Sequence, residues 1–249
     1  MAIQRALLLI ADIGGYTKFM KVHRINLAHA QVVVGRLLEA VIDAGRGRLK
    51  LNKLEGDAAL FWAPLKAGGS LDVVDLAAHI HSAFCTRRSE LNIDRLCSCD
   101  GCVQVADLKL KFVAHVGEVA QQKVKRWTEL AGVDVIVVHR LLKNGVPLAE
   151  YVLATEPALD GARPEVRALA VRLEERFEGL EDGDTFYLDL HALEPPPALG
   201  RGTTWWRRLW SWVRLTWRAL PYMLGLRTPC DGFRNMDTAR AEVEGARHD

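Results

Sequence analysis

Ala6-Leu7-Leu8-Leu9-Ile10-Ala11-Asp12-Ile13-Gly14-Gly15-Tyr16 is the stretch that decides the fold. The apolar run from Ala6 to Ala11 has the length of a buried strand rather than a helix. Asp12 closes it, and the Gly14-Gly15 pair breaks the chain direction just beyond. The run is too short for the core of a signal peptide, and no small-residue cleavage site follows.

Downstream, the pattern alternates between two periods. His23 to Ala44 shows helical spacing, with Ala30, Val33, Val34, Leu37, Leu38, Val41 and Ile42 on one face. Arg48 to Lys53 alternates as a half-buried strand, with Leu49 and Leu51 set against Lys50 and Asn52. Glu55-Gly56-Asp57 reads as a turn, and Ala58–Ala63 as the returning strand, so this hairpin carries an acid at its tip. Asp72 to Leu91 predicts a second long helix. Leu108 to Ala120 predicts a strand, and residues 132–143 return to helical spacing. The order β-α-β-β-α-β describes a split βαβ, ferredoxin-like core, an α+β sandwich with helices on one sheet face. Tyr151–Thr155 and Thr185–Leu190 predict two more strands, with a charged helix from about Pro164 to Phe177 between them.

The domain expectation is therefore residues 1–155 as the principal α/β unit, with 156–194 completing it. Pro195-Pro196-Pro197 opens a stiff linker over 195–202. A Trp- and Arg-rich amphipathic helix is expected over 203–225, and a polar, disordered tail over 226–249.

Composition narrows the class. In 249 residues, 49% are hydrophobic and 26% charged, which is ordinary for a soluble globular protein. The net charge of +2 gives no reason to expect nucleic acid. Charge is uneven, however: Pro195 to Cys230 holds six Arg and no Asp, Glu or Lys, which leaves −4 on the rest. No run approaches the roughly 18 apolar residues of a spanning helix. A cytoplasmic protein is expected.

Asp12 ends the first strand, and Asp57 lies in the tip of a hairpin that a split βαβ core sets beside it. Two close carboxylates repel unless a cation sits between them, and a carboxylate-bound Mg²⁺ pair is a common arrangement for phosphoryl chemistry. Equally, Asp12 could cap the next helix and Asp57 merely occupy a turn.

The local wording adds to this. Ala11-Asp12-Ile13-Gly14-Gly15-Tyr16-Thr17-Lys18-Phe19 resembles the F-A-D-I-x-G-F-T signature of class III adenylyl and guanylyl cyclases. Lys53-Leu54-Glu55-Gly56-Asp57-Ala58 resembles their K-x-x-G-D hairpin. His115-Val116-Gly117-Glu118-Val119 is similar to their G-x-H-x-G strand ending, with Val113 in place of the first Gly. Gly132 to Arg140 resembles the G-D-x-V-N-x-A-x-R helix. The stretches LEGDAALFW and AGVDVIVVHRLLKN further resemble a bacterial branch of this superfamily, the domain of unknown function numbered 2652.

The resemblance implies a nucleotide-cyclase sandwich and a site assembled in a head-to-tail homodimer. Asp12 and Asp57, with the Ile13 carbonyl, would bind Mg²⁺ or Mn²⁺. Lys53 and Glu129 would read the purine of a nucleoside triphosphate, and Arg140 would stabilise charge on the transferring phosphate. An active enzyme of this class converts ATP to cyclic AMP. One departure weighs against turnover: the transition-state Asn falls on Ile136. Loss of one positioned polar group of this kind costs on the order of 10²–10³ in rate. The alternative is a catalytically inactive nucleotide-binding sensor associated with a membrane surface.

Two further features stand apart. Cys97, Cys99 and Cys102 crowd three thiols into six residues, a spacing suited to a structural Zn²⁺, with Cys85 or His81 as the fourth ligand. Five of the seven Trp lie between 205 and 217. On a helical projection Arg207, Arg214 and Arg218 share one face. Trp205, Leu209, Trp212, Val213, Trp217 and Leu220 spread over the other, and Trp206 and Trp210 are also expected to contact the membrane. That composition suits contact with an anionic membrane, peripherally at its inner face.

Overall fold

The computed structural model describes residues 3–22, 27–93, 104–180 and 183–193, together with residues 206, 209, 210, 213, 216, 217, 220, 224 and 226. Ile3–Gly14 forms strand β1, and its centre is buried on both faces because layers cover the sheet on either side. Helix α1 (Tyr16–Val22) follows the Gly14-Gly15 turn, where Gly15 adopts φ +84°, a left-handed conformation that glycine reaches without strain. Helix α2 (Leu27–Gly45), the hairpin strands β2 (Lys50–Glu55) and β3 (Ala58–Pro64), and helix α3 (Val73–Ile93) come next. Asp72 caps α3, its Oδ1 accepting the N–H groups of Val74 and Asp75 at 3.1 and 2.9 Å. The chain continues through β4 (Lys109–Val124), β5 (Trp127–Ala131), helix α4 (Val133–Arg140) and β6 (Tyr151–Thr155). It closes with a short helix α5 (Pro164–Arg167), β7 (Val171–Leu173), β8 (Thr185–Asp189) and helix α6 (Leu190–Leu193).

All eight strands join one sheet in the order β2-β3-β1-β4-β6-β8-β7, with β5 hairpinned onto β4. Only the β4–β6 pair is parallel; the other pairings are antiparallel. This is the α+β sandwich that the element order predicts.

Alternation along the central strands divides the core in two. Leu7, Leu9 and Ala11 of β1 pack with Val33, Leu37 and Val41 of α2 and Val73, Ala77 and Phe84 of α3. Ala6, Leu8 and Ile10 face the other way, onto Val138 of α4, Leu141 and Phe177. Helices therefore cover both sheet faces, not one. The apolar stripe of α4 needs burial as much as those of α2 and α3, and the crossover places it opposite them.

The charged helix expected to reach Phe177 stops at Arg167. Val171–Leu173 instead pairs as an edge strand with β8, and Phe177 turns into the core. The long helix expected from His23 starts at Leu27 as described, with α1 preceding it. Strands β5 and β7 are additions to the expected elements.

Candidate functional site

Asp12 and Asp57 do meet. Asp12 is the register partner of Ala58, so Asp57 is one residue beyond it at the β2–β3 turn. The Ile13 N–H donates to the Asp57 carbonyl at 3.3 Å, which ties the end of β1 to that turn. Gly56 makes the turn, with φ +70°. The Ile13 side chain is buried, and both acids are partly buried. Burial, and then the charge of Asp12, hold the Asp57 carboxyl above the usual range, while Lys111 acts in the opposite sense.

Lys111, which the sequence does not point to, faces Asp12 from β4. Its Nζ lies 3.2 Å from Asp12 Oδ2. Tyr151 closes the group from β6. Burial raises its phenol, and its O–H donates to Asn144 Oδ1 at 2.8 Å. Two carboxylates against one lysine, which pairs with Asp12, leave a donor set that fits a divalent cation: paired carboxylate oxygens in excess of the local positive charge, and partial exposure for a ligand.

The hairpin strand β2 carries the next group. It lies at the sheet edge, and a bulge between Leu51 and Lys53 breaks the simple alternation that the sequence shows. Leu51 is exposed as a result. Lys53 Nζ lies 2.7 Å from Glu55 Oε1. His139 of α4 donates its Nε2–H to Glu55 Oε2 at 2.9 Å and its Nδ1 bonds the Val135 carbonyl at 2.6 Å. Burial opposes the charge of Glu55, but its bonds to Lys53 and His139 outweigh that and hold its carboxyl below the ordinary value. A three-residue chain thus links the base-reading candidate Lys53 to the helix bearing Ile136.

The remaining sequence candidates lie apart from this group. Glu129 is exposed on β5, opposite Gln122. Arg140 turns to the 177–180 segment, donating to the Glu178 carbonyl at 2.8 Å and pairing with its carboxylate at 3.0 Å. Ile136 is 52% exposed on α4, and Val133 beside it 66%. His115 is a satisfied strand residue: Nε2 bonds Asp134 Oδ1 at 2.9 Å and Nδ1 bonds Thr155 Oγ1 at 3.1 Å. Asp134 also accepts the Glu118 N–H at 2.6 Å, which anchors the start of α4 to β4. A Cβ at Gly117 would overlap that carboxylate, a reason for glycine there.

Cys85 lies on the other sheet face, buried beside His81 and Glu150. Cys97, Cys99 and Cys102 lie outside the described residues, as do Trp205, Arg207, Trp212, Arg214 and Arg218. Trp206, Trp210 and Trp217 are helical and exposed. Among the described residues no helix is long and apolar enough to cross a membrane.

With this geometry in view, comparisons with known proteins add the following. Residues 34–151 match the family described as "Protein of unknown function (DUF2652)". A Mycobacterium tuberculosis protein, "Uncharacterized protein Rv2561/Rv2562", is 46% identical over 211 residues, 84% of this chain and 97% of its own. Among solved structures, a bacterial light-regulated adenylyl cyclase superposes with a TM-score of 0.57 at 12% identity, covering 76% of this chain and 52% of that one. A class III adenylyl cyclase-like ATP-binding protein from Pseudomonas aeruginosa gives 0.52 at 19% identity, covering 67% of this chain and 36% of that one. This chain thus spans about half, or less, of the length of those two structures. At such identities the likeness is one of fold: the sandwich is that of nucleotide cyclase domains.

Proposed function

This chain belongs to the DUF2652 family, and from that premise we propose that it binds a purine nucleoside triphosphate together with Mg²⁺ or Mn²⁺, as a homodimer. The observation that carries the reading is the Asp12–Asp57 pair, held at one end of the sheet with one lysine, Lys111, against two carboxyl groups. Asp12 and Asp57 hold the metal with the Ile13 carbonyl, and Lys111 lies where it can meet a phosphate oxygen. Lys53 and Glu129 read the base. The bound cation would supply charge neutralisation for the polyphosphate. Exposed Val133 and Ile136 on α4, with Leu54 and Val124 on the adjoining strands, offer apolar surface for a second copy.

Turnover in this reading is attack of the ribose 3′-hydroxyl on the α-phosphate of ATP, with release of pyrophosphate and formation of cyclic AMP. Arg140, freed from Glu178, is the residue that would meet the developing phosphate charge. A second reading keeps the binding and drops the chemistry: a nucleotide sensor held at the inner membrane surface by residues 203–220. Ile136, apolar and exposed where the family's Asn stands, favours it. A similar fold occurs in the P. aeruginosa protein described as adenylyl cyclase-like and ATP-binding.

The test is thermal unfolding of the full chain with ATP or GTP, with and without Mg²⁺ or Mn²⁺. A metal-dependent rise in Tm is expected, and Asp12→Ala or Asp57→Ala should each remove it. A rise that survives both substitutions would place binding elsewhere.

A further inference from the structure

His81 and Cys85 lie one helical turn apart on the buried face of α3, four residues being the spacing that brings side chains together. His81 Nε2 lies 3.5 Å from Cys85 Sγ and 3.1 Å from Glu150 Oε1. All three ligand atoms fall within 4.8 Å of one another, and all three residues are buried. One imidazole nitrogen therefore faces both the thiol and the carboxylate. In a Cys-His-acid nucleophile arrangement, opposite ring nitrogens would face the two partners instead.

Convergence on one nitrogen is the geometry of a shared proton or of a shared cation. A tetrahedral zinc, with bonds of about 2.0 Å to nitrogen or oxygen and 2.3 Å to sulfur, has N···O edges of about 3.3 Å and N···S edges of about 3.5 Å. The two separations from His81 Nε2 are close to those edges. We propose that His81 Nε2, Cys85 Sγ and Glu150 Oε1 bind one Zn²⁺ or similar thiolate-preferring divalent ion, with water at the fourth corner.

Arg88 reaches both the thiol and the carboxylate, its two terminal nitrogens each 3.4 Å away, one from Cys85 Sγ and the other from Glu150 Oε1. The Leu110 N–H donates to the same carboxylate oxygen at 3.2 Å. His191 holds the other oxygen at 2.9 Å, and its ring stands edge-on to His81 with centroids 5.9 Å apart. Such outer partners fix the orientation of metal ligands. Lys109 adds a further positive charge 3.8 Å from Glu150, so a bound ion competes with Arg88 and Lys109 for that carboxylate.

The site's position gives it a consequence. Glu150 immediately precedes Tyr151, and Leu110 lies between Lys109 and Lys111. The ion would therefore sit beneath the strand ends that carry Lys111 and Tyr151, on the sheet face opposite the acid pair. Its role is to brace those strands, and it does not depend on nucleotide binding.

The experiment uses the full chain purified without chelator. Elemental analysis should find close to one zinc per chain, and Co²⁺ exchange should give a thiolate-to-cobalt charge-transfer band. Cys85→Ser should abolish the band. Asp12→Ala should leave it unchanged, which separates this site from the acid pair. A triple serine variant at Cys97, Cys99 and Cys102 should also leave it unchanged. Should Cys85→Ser fold poorly, the wild-type spectrum and the triple variant still decide. No retained zinc and no thiolate band in the wild type would overturn the assignment, as would a band that vanishes in the triple variant.

Discussion

The Lys111 ammonium lies 3.2 Å from the Asp12 carboxylate, across a strand pair in which the two residues are register partners. The first of the two acids thus already has a counter-cation supplied by the fold. Among the described residues Asp57 has no such ion-pair partner; its carboxyl is raised by burial and by Asp12. A divalent ion entering here relieves the repulsion between the acids and competes with Lys111 for Asp12. The metal-free site is stable but electrostatically incomplete.

Lys111→Gln should therefore act in opposite directions with and without metal. In chelator the substitution removes the ion-pair partner that Asp12 has among the described residues and should cost about 1 kcal/mol, measured by urea unfolding. With Mg²⁺ or Mn²⁺ alone, the increase in Tm should exceed that of the wild type, because the ion no longer competes with an ammonium. A smaller increase would mean that Lys111 assists the metal rather than competing with it.

Asp57→Asn should stabilise the metal-free protein at neutral pH. A carboxyl whose folded pKa lies above its unfolded value contributes stability at low pH, and that contribution is lost as pH rises through the folded value. Above it the ionised group is a cost. Urea unfolding in chelator should show Asn more stable than Asp at pH 7, with the difference shrinking on acidification through the carboxylate range. A gain that grows toward low pH would contradict the raised carboxyl.

Ile136→Asn tests whether chemistry is limited by one side chain. The position is half exposed on α4, so the substitution should fold with little loss. Product assays with ATP and GTP should find little cyclic nucleotide from the wild type. The variant should gain up to roughly 10²-fold if the remaining groups can act. An unchanged rate with unchanged binding would favour the sensor reading and point to the Arg140–Glu178 pairing as a second block.

The tail makes a separate prediction. Trp210 and Trp217 are 65% and 73% exposed, an arrangement that places aromatic surface where lipid headgroups could take it. Flotation with anionic liposomes should retain the full chain and lose a chain ending at Gly200. Neutral liposomes should retain neither. Equal flotation of both chains would remove the membrane role from residues 203–220.

The acid pair was legible in sequence because each acid borders an apolar strand, Asp12 at the end of one and Asp57 just before another, and such borders are marked by an abrupt change in pattern. Lys111 was not, because its meaning depends on a partner 99 positions earlier in the chain, brought opposite only by strand register. His139 likewise reads as the polar edge of a helix until β2 brings Glu55 to it. Charge density over 164–177 suggested a helix, whereas the pairing of Val171–Leu173 with β8 outweighed local propensity there. The buried His81–Cys85 pair had a visible four-residue spacing, but Glu150, 65 residues beyond Cys85, carried no local signal. Helices α2 and α3 were plain because each has a complete apolar stripe; the placement of α4 on the opposite face followed from topology alone.

The central claim is metal-dependent nucleotide binding at Asp12 and Asp57, and equilibrium titration of the full chain with ATP and GTP tests it most directly. Calorimetry in the presence of Mg²⁺ or Mn²⁺ should give saturable binding of at least one of the two. Chelator, or either alanine variant, should abolish it. A protein that binds neither triphosphate with either metal, or binds as well in chelator, would contradict the account.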